Sequence, residues 1–294
     1  MSVLRKVKPL LSQSLIGDIY RFISTRARTF ISPRARAKRH LRASIACFKK
    51  EYDAYWANIS SDRSKTTNTG WYDEILQNGF TIIPDYLSKE EVNAIRSEVW
   101  SLPGFIEGQY VGGLKFFPRP VDGICALSIS KQLPMAHKVT IDNRELHTLA
   151  QALFGSSARL SAASVLNKYD ASKVDSAEVP HWDDWRVRLK AFIYLTDVGE
   201  DNAPTLFLRG STRGVPWRLE KDYASVFLPQ ASAGGSWHPI EPLGFERVMC
   251  TGKAGTMVVF DARGIHAATQ LRKGIRVMLM SMYATHLDFT DRVY

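Results

Sequence analysis

An apolar segment that ends in a histidine lies near the C-terminus of the chain, and our prediction of the fold starts from it. Residues 255–266 read GTMVVFDARGIH. The apolar run from 256 to 260 predicts a buried strand that leads to His266 at its far end. A turn at 272–274 then leads into a second apolar strand, which begins RVMLM at Arg276. We therefore expect a hairpin whose two strands are both largely buried.

The spacing between His266 and Arg276 suits a bound dicarboxylate. In a hairpin centred near Lys273, Arg276 would pair near Gln270, roughly 13 Å from His266 at about 3.4 Å per residue. A guanidinium that opens an otherwise apolar strand needs an anionic partner. A five-carbon dicarboxylate, chelating a metal at one end and bound by Arg276 at the other, would meet that need.

A candidate pair of metal ligands lies further upstream, where residues 179–185 read VPHWDDW. His181 and Asp183 are two residues apart, so on an extended strand both side chains project from the same face. They would supply two of the three ligands of a facial triad made of two histidines and one carboxylate. The alternative is a structural His–Asp hydrogen bond at a strand end, with His266 as a surface histidine near a loop.

Helical patterns come first along the chain, and short strand patterns follow from residue 157 onward. Helices are predicted at 71–78, which ends at Gly79, at 89–101 behind a capping box that starts at Ser88, and at 142–154 with Asp142 as N-cap. Strands are predicted at 80–83, 159–169, 187–197, 205–208, 245–250, 256–260 and 276–284. Many short strands after a helical section favour a closed or sandwiched antiparallel β core.

The net charge of +10 belongs to the N-terminal segment. Residues 1–50 carry 13 Lys and Arg and one acid, Asp18, whereas the rest of the chain is nearly neutral. We divide the chain into a basic, amphipathic helical arm over 1–60, a polar linker over 61–70 and a β-rich domain over 71–294. The arm has three interpretations: a solvated extension, a helix on an anionic membrane surface, or a mitochondrial-type transit peptide.

Composition and cysteine content exclude several classes of protein. With 45% hydrophobic and 23% charged residues, the chain is typical of a globular protein. No apolar run approaches the roughly 20 residues of a membrane span. The body has no basic face and no recognition motif for nucleic acid, so we expect no such partner. Cys47, Cys125 and Cys250 are widely spaced, which predicts free thiols and a cytoplasmic location, peripheral to a membrane if the arm binds one.

Over about residues 71–285 the chain resembles the phytanoyl-CoA dioxygenase-like family of non-haem iron, 2-oxoglutarate-dependent oxygenases. The matching segments are NGFTII at 78–83, HWD at 181–183, FIYLTDV at 192–198, GSTR at 210–213 and the block from 255 to 283. The resemblance implies an α+β protein with a mainly β core, namely a double-stranded β-helix (a cupin-like jelly roll) with flanking helices and the N-terminal arm.

The resemblance also implies the site and the reaction. Fe(II) would be held by His181, Asp183 and His266, and Arg276 would bind the distal carboxylate of 2-oxoglutarate. The implied enzyme is a dioxygenase that uses O2, decarboxylates 2-oxoglutarate to succinate and hydroxylates a small-molecule or lipid-like substrate, with ascorbate as reductant in vitro. Further candidates are Asn167 and Tyr169 for contact with 2-oxoglutarate, and Trp185, Arg186 and Arg188 for contact with the substrate.

Three positions depart from the family pattern. Trp182 separates the two ligands where a polar residue is common, Thr212 replaces the usual histidine of a Gly-Ser-His segment, and Ala268 replaces a small polar residue. These departures leave the substrate open. The alternative function is a catalytically inactive jelly-roll binding or scaffold protein whose arm holds an anionic partner or membrane surface. The presence of all three ligands and of Arg276 favours the enzyme.

Overall fold

A computed structural model describes residues 46–109, 113–183, 186–212 and 244–285 of the chain. The first 45 residues of the predicted arm therefore lie outside the described residues. Residues 46–59 belong to a compact unit separate from the one that contains the sheets. Residues 46–57 form a helix, α1. Along this helix the ring centroid of Tyr52 lies 5.9 Å from that of Phe48 and 5.9 Å from that of Trp56. No described helix is long and apolar enough to cross a membrane.

Four further helices belong to the unit that contains the sheets. They are α2 (Thr69–Asn78), α3 (Lys89–Trp100), α4 (Pro134–Thr140) and α5 (Arg144–Phe154). The predicted capping box of α3 is present, with Ser88 and Glu91 each bonded to the backbone N–H of the other. Helix α5 begins later than predicted, because Asn143 rather than Asp142 is its N-cap. The Asp142 carboxylate instead lies 3.1 Å from Nδ1 of His137.

Ten strands of the described residues make up two antiparallel sheets. In chain order they are β1 (Phe80–Ile83), β2 (Phe116–Arg119), β3 (Ile124–Ser128), β4 (Arg159–Lys168), β5 (Arg188–Tyr194), β6 (Thr205–Leu208), β7 (Arg247–Cys250), β8 (Met257–Asp261), β9 (His266–Ala268) and β10 (Arg276–Ala284). All seven predicted strands are present. We did not predict β2, β3 and β9, which are short. Pro118 also interrupts the pattern of β2, where proline is tolerated because the strand lies at the edge of the sheet.

After β4 the chain passes repeatedly between the two sheets, as it does in a jelly roll. The larger sheet has the order β1-β8-β5-β10-β4-β3-β2, and the smaller has the order β7-β6-β9. Between β4 and β5, His181 pairs with His266 of the smaller sheet. The chain then returns to the larger sheet as β5, crosses as β6 and β7, and alternates through β8, β9 and β10. The predicted double-stranded β-helix is therefore confirmed.

The predicted hairpin between the two C-terminal strands is wrong. β9 pairs with β6 in the smaller sheet, whereas β10 pairs with β4 and β5 in the larger one. Arg276 consequently lies opposite Lys168 and not near Gln270. The reason is that β8 is buried on both faces and β10 nearly so. An apolar run without alternation does not distinguish a hairpin from a crossing between two packed sheets.

The core lies between the two sheets, on what we call the inward face of the larger sheet. The buried side chains that pack there are Phe80, Phe192, Tyr194, Val258, Phe260 and Met278 of the larger sheet with Phe207 and Cys250 of the smaller one. On the other face of β5, Leu189 and Ala191 are completely buried as well. The inward face is where the two sheets can present side chains to one another, and therefore where a site between them can form.

Candidate metal centre

Two histidines from distant parts of the chain are brought together by a backbone pair. His181 precedes β5 and His266 begins β9, and the two residues exchange backbone hydrogen bonds of 2.9 and 2.8 Å. Directly opposed residues of an antiparallel pair project their side chains on the same side. Accordingly, the centroids of the two imidazole rings lie only 4.6 Å apart.

Both imidazoles are held in the tautomer that suits metal binding. Nδ1 of His181 donates to the carbonyl of Val179 at 2.8 Å, and Nδ1 of His266 donates to the carbonyl of Gly264 at 2.9 Å. A carbonyl oxygen can only accept, so each Nδ1 carries the proton and each Nε2 presents its lone pair. Such contacts fix the orientation of a metal-binding histidine and raise its basicity.

Asp183 completes a group of three side chains that could hold a metal ion. One ligand atom of each of His181, Asp183 and His266 lies within 4.8 Å of the other two. Bonds of about 2.0–2.2 Å to one ion would place these atoms within about 4.4 Å of one another, so small side-chain movements suffice. Two neutral imidazoles and one carboxylate are the donor set of non-haem iron sites. The residues present therefore fit Fe(II).

Aromatic rings surround the second histidine. The ring of Phe207 is stacked on that of His266 at a centroid distance of 6.2 Å, and the ring of Phe260 lies 5.0 Å away. Both phenylalanines are completely buried. An apolar surrounding of this kind limits the access of water to the ligands and lowers the local dielectric constant.

Arg276 is buried inside the roll and forms no ion pair with an acid of the described part of the chain. The residue is only 6% exposed. Nη1 donates to the carbonyl of Ala203, whereas Nε has no hydrogen-bond partner among the residues described. Burial lowers the pKa of the guanidinium, against the opposing effect of Tyr194 and Asp175. A buried cation with an unsatisfied N–H is unfavourable until an anion binds to it.

Asn167 and Tyr169 do not share the face of Arg276. Asn167 lies opposite Val277, the neighbour of Arg276, and therefore projects from the other side of the sheet. Its amide donates to the backbone carbonyls of residues 105 and 106, each at 2.9 Å. Tyr169 follows two residues later, just beyond the strand. Contact of these two residues with 2-oxoglutarate stays a prediction that the register does not support.

The remaining candidates lie around the start of β5. Trp185 is outside the described residues, and Arg186 and Arg188 are half-buried. Trp182, the unusual residue between two ligands, is only 1% exposed. Alternation places Trp182 on the side opposite to His181 and Asp183, so its bulk need not obstruct the ligands.

Sequence reasoning missed Ser211, which supports the turn before His266. The residue is completely buried, and its hydroxyl accepts the N–H of Ile265 at 2.7 Å. Ile265 separates His266 from Gly264, whose carbonyl orients the imidazole. The signal was present in the segment GSTR at 210–213, which we had matched to the family without assigning a role to its serine.

We predict that Ser211→Ala weakens metal binding. The substitution leaves the buried N–H of Ile265 without its acceptor, which should reduce the free energy of unfolding by about 1–3 kcal/mol. The turn that orients His266 then loosens, and Fe(II) affinity should fall about tenfold or more. Urea unfolding and an anaerobic Fe(II) titration measure the two effects. Ser161→Ala, which removes an exposed hydroxyl bonded to Met282, is the control. Wild-type iron affinity in Ser211→Ala would contradict the role assigned to the hydroxyl.

We also predict that Gly264→Ala disturbs the same turn by steric overlap. A Cβ atom at this position would lie 2.0 Å from the Phe207 ring. Overpacking of a core costs about 1–3 kcal/mol, and relief of the overlap should displace His266. Thermal unfolding and Fe(II) titration should both show the loss, and adding Phe207→Leu should recover part of it in a double-mutant cycle. Gly70→Ala, which meets nothing within 4 Å, is the control. Additive effects of the two substitutions would refute the steric explanation.

Comparison with known proteins gives both a family and a fold. The family model described as phytanoyl-CoA dioxygenase (PhyH) matches residues 75–276. The solved structure of the non-haem α-ketoglutarate-dependent epimerase SnoN from nogalamycin biosynthesis is similar, with a TM-score of 0.53 and 18% identity over 74% of this chain and 82% of that one. No curated protein sequence matches the chain significantly.

Two further solved structures have the same fold. SnoN in complex with Fe³⁺, α-ketoglutarate and nogalamycin RO gives a TM-score of 0.50 and 20% identity over 74% of this chain and 82% of that one. The α-ketoglutarate-dependent carbocyclase SnoK from the same biosynthesis gives a TM-score of 0.52 and 19% identity over 77% and 87% of the two chains. At such identities the structural matches establish the fold alone. The family model covers more than half of the chain, and the chain therefore belongs to the phytanoyl-CoA dioxygenase family of non-haem iron, 2-oxoglutarate-dependent oxygenases.

Proposed function

We propose that this dioxygenase hydroxylates a small molecule, with Fe(II) held by His181, Asp183 and His266 and the distal carboxylate of 2-oxoglutarate bound by Arg276. The observation that carries the proposal is the buried guanidinium of Arg276. Its Nε has no hydrogen-bond partner among the described residues, and it lies inside the roll, where the candidate ligands also lie. A dicarboxylate bound by the metal and by Arg276 would supply the missing anion.

Each residue has a task that follows from its position. The Nδ1 hydrogen bonds of the two histidines fix the rings with Nε2 toward the metal. The carboxylate of Asp183 offsets part of the charge of a divalent ion. When bound, iron and 2-oxoglutarate supply the oxidation chemistry, which consumes O2 and yields succinate and CO2. The apolar rings around His266 exclude water from the reacting centre.

The small-molecule substrate is supported by the relatives. The SnoN structure contains nogalamycin RO, a small molecule, in addition to Fe³⁺ and α-ketoglutarate. A lipid-like substrate, and contact of residues 1–50 with an anionic membrane surface, are supported only by the charge of the arm. We further propose a cytoplasmic location, because all three cysteines are free.

Co-substrate binding and turnover test the proposed function together. Under anaerobic conditions, Fe(II) and 2-oxoglutarate added to the protein should produce the visible charge-transfer absorption of an iron-chelated 2-oxo acid. In air with ascorbate, slow succinate formation without a prime substrate should follow. Asp183→Ala should lose both signals, whereas Asp197→Ala, which removes a carboxylate from an exposed pair with Lys253, should keep them.

Two outcomes would contradict the proposal. If the wild-type protein shows neither absorption nor succinate, the chain is the catalytically inactive binding protein of the alternative hypothesis. If Asp183→Ala keeps both signals, an iron centre exists but its ligands are not those assigned above.

A further inference from the structure

We propose that the substrate of this oxygenase has an uncharged, largely apolar body, and that this body binds on the inward face of β4 and β10. The side chains that contact it are those of Ala162, Leu166, Met280 and Met282, which together we call the apolar face. The inference rests on the proposed function, because it takes the substrate of that reaction as the occupant of the face. It goes further by naming the chemical class of the substrate and the residues that bind it.

The register shows that the four side chains point into the roll. Leu166 and Met280 pack against the core between the sheets, although both are only partly buried. Met282 follows Met280 by two residues on the same strand, and Ala162 lies directly opposite Met282. Directly opposed residues share a face, and so do alternate residues of one strand. The apolar face is therefore one continuous surface inside the roll.

Burial along β10 shows that the inward face remains accessible at this place. The outer residues Leu279, Ser281 and Tyr283 are at most 1% exposed. Met280 and Met282 alternate with them and are only half-buried. Burial of apolar surface stabilises a folded chain, so accessible apolar side chains inside the roll leave part of that stabilisation to a ligand. A recess lined mainly by such side chains is the usual form of a small-molecule site.

Charged residues border the apolar face but do not lie within it. At one border, Lys190 of β5 lies opposite Met282, and at the other, Lys168 lies opposite Arg276. A charged group bound between these borders would lose its hydration without gaining a partner, so the body that binds there is uncharged. The residues of β4 and β10 that project inward between the borders are all uncharged: Ala162, Ser164, Leu166, Met278, Met280 and Met282.

Ser164 is an independent sign that a ligand binds here. It lies directly opposite Met280, so its side chain also points into the roll. The residue is 5% exposed, and its hydroxyl has no hydrogen-bond partner among the described residues. A buried hydroxyl without a partner is unfavourable, and a single polar group on the substrate would satisfy it. Methionine side chains are flexible, so Met280 and Met282 can adapt to the shape of an apolar body.

The apolar face lies on the same side of the roll as the two histidines. Only residues 251–256 connect β7 with β8, and only residues 269–275 connect β9 with β10. The edge of the smaller sheet that β9 forms therefore lies toward β10 and not toward β8. His181 pairs with His266 of β9 and extends the sheet beyond this edge. A substrate on the apolar face is thus close to the candidate iron ligands.

The co-substrate and the substrate can occupy the roll together. Arg276 and Met280 lie four residues apart on β10, which corresponds to roughly 14 Å at about 3.4 Å per residue. An extended arginine side chain and a five-carbon dicarboxylate together cover about this length. The chelating end of 2-oxoglutarate bound to Arg276 would thus reach the level of Met280. The substrate would lie beyond this end, at Ala162 and Met282, and one strand to the side, at Leu166.

Paramagnetic relaxation of matched alcohols tests the proposal. The protein is loaded with Mn(II) and saturating 2-oxoglutarate, and the proton relaxation of each alcohol is recorded by NMR, so that only a ligand near the metal responds. The linear pair is 1-octanol with diethylene glycol monoethyl ether, and the cyclic pair is 2-cyclohexylethanol with 2-(tetrahydropyran-4-yl)ethanol. Within each pair, ether oxygens replace methylene groups. We expect the hydrocarbon member of at least one pair to bind about tenfold more tightly than its ether partner.

Variants show whether the hydrocarbon binds on the apolar face. The preference should fall about threefold or more in Met280→Gln and in Met282→Gln, which keep the length of the side chain and make its end polar. It should persist in Met249→Gln, the matched control. Met249 is also half-buried, but it lies between Val248 and Cys250, which pack toward the core, and therefore projects from the opposite face of the smaller sheet.

Two results would overturn the inference. One is equal binding of both members in each pair, including no binding of either. The other is an unchanged preference in a folded Met280→Gln or Met282→Gln protein, because the hydrocarbon would then bind elsewhere. Thermal unfolding shows whether each variant folds, and either variant alone decides the question. Failure of the proposed function is recognised separately, because the wild-type protein would then lack the charge-transfer absorption with Fe(II) and 2-oxoglutarate.

Discussion

His266→Ala is expected to lower the affinity for Fe(II) by on the order of 100-fold or more and to reduce succinate formation below detection. The substitution removes one of two imidazoles that the backbone pair of His181 and His266 places side by side, with their centroids 4.6 Å apart. The two remaining ligands bind the ion much more weakly than three do, and 2-oxoglutarate then has no metal ion to chelate. No other described residue belongs to this ligand group.

The measurement is an anaerobic Fe(II) titration together with the visible absorption of the 2-oxoglutarate complex. His147→Ala is the matched control, because its imidazole lies on α5 and contacts Tyr283. Circular dichroism and thermal unfolding of the metal-free proteins show whether the variant still folds. A folded His266→Ala protein with wild-type iron affinity would show that the triad is not the metal site.

The β core and the placement of two candidate ligands on one side of the chain could be predicted because each depends on local pattern. Apolar runs between turn residues identified β6 and β10 to the residue. The two-residue spacing of His181 and Asp183 placed both side chains on one side of the chain. These features follow from the geometry of an extended strand and need no knowledge of the strand's partner.

The pairing of the strands could not be predicted in the same way. β10 is apolar on both faces because it is covered on one side by helices and on the other by the smaller sheet, so its pattern carries no information about its neighbours. The predicted hairpin placed Arg276 opposite Gln270, whereas in the structure Arg276 lies opposite Lys168. Asn167 was a candidate for contact with 2-oxoglutarate because it lies on the strand before the first motif; it projects from the face opposite to Arg276, and its contact with 2-oxoglutarate stays a prediction.

The face of β5 on which Lys190 lies could not be predicted for a different reason. Its position two residues after Arg188 was visible in the sequence, and alternation would have placed both on one face. The sequence did not show whether this was the inward or the outer face, because either Phe192 or Ala191 could project toward the smaller sheet. Both residues are buried, so their hydrophobicity does not distinguish the two faces. The core between the sheets contains Phe192 and thereby identifies the inward face.

Arg276→Met is expected to raise the 2-oxoglutarate requirement about 30- to 100-fold, which corresponds to the loss of about 2–3 kcal/mol of charge-assisted hydrogen bonding. The free energy of unfolding without ligand should fall by no more than about 1 kcal/mol, because methionine also removes a buried charge that forms no ion pair with a described acid and whose Nε has no hydrogen-bond partner among the described residues. Burial lowers the pKa of this guanidinium, which is the sign of an environment that disfavours the cation until an anion arrives.

Thermal unfolding with and without 2-oxoglutarate, in the presence of Fe(II) and the absence of O2, separates a binding role from a structural one. The ligand should raise the melting temperature of the wild-type protein and of Arg272→Met, whose exposed arginine lies on the preceding turn near Asp201. It should have little effect on Arg276→Met and an intermediate effect on Arg276→Lys, which keeps the charge and loses the planar fork. A purely structural arginine would give the reverse result: Arg276→Met would be strongly destabilised without ligand, and any protein that still folded would be stabilised by 2-oxoglutarate as the wild type is. Because the two roles predict opposite results in the ligand-free protein, one pair of melting curves decides between them.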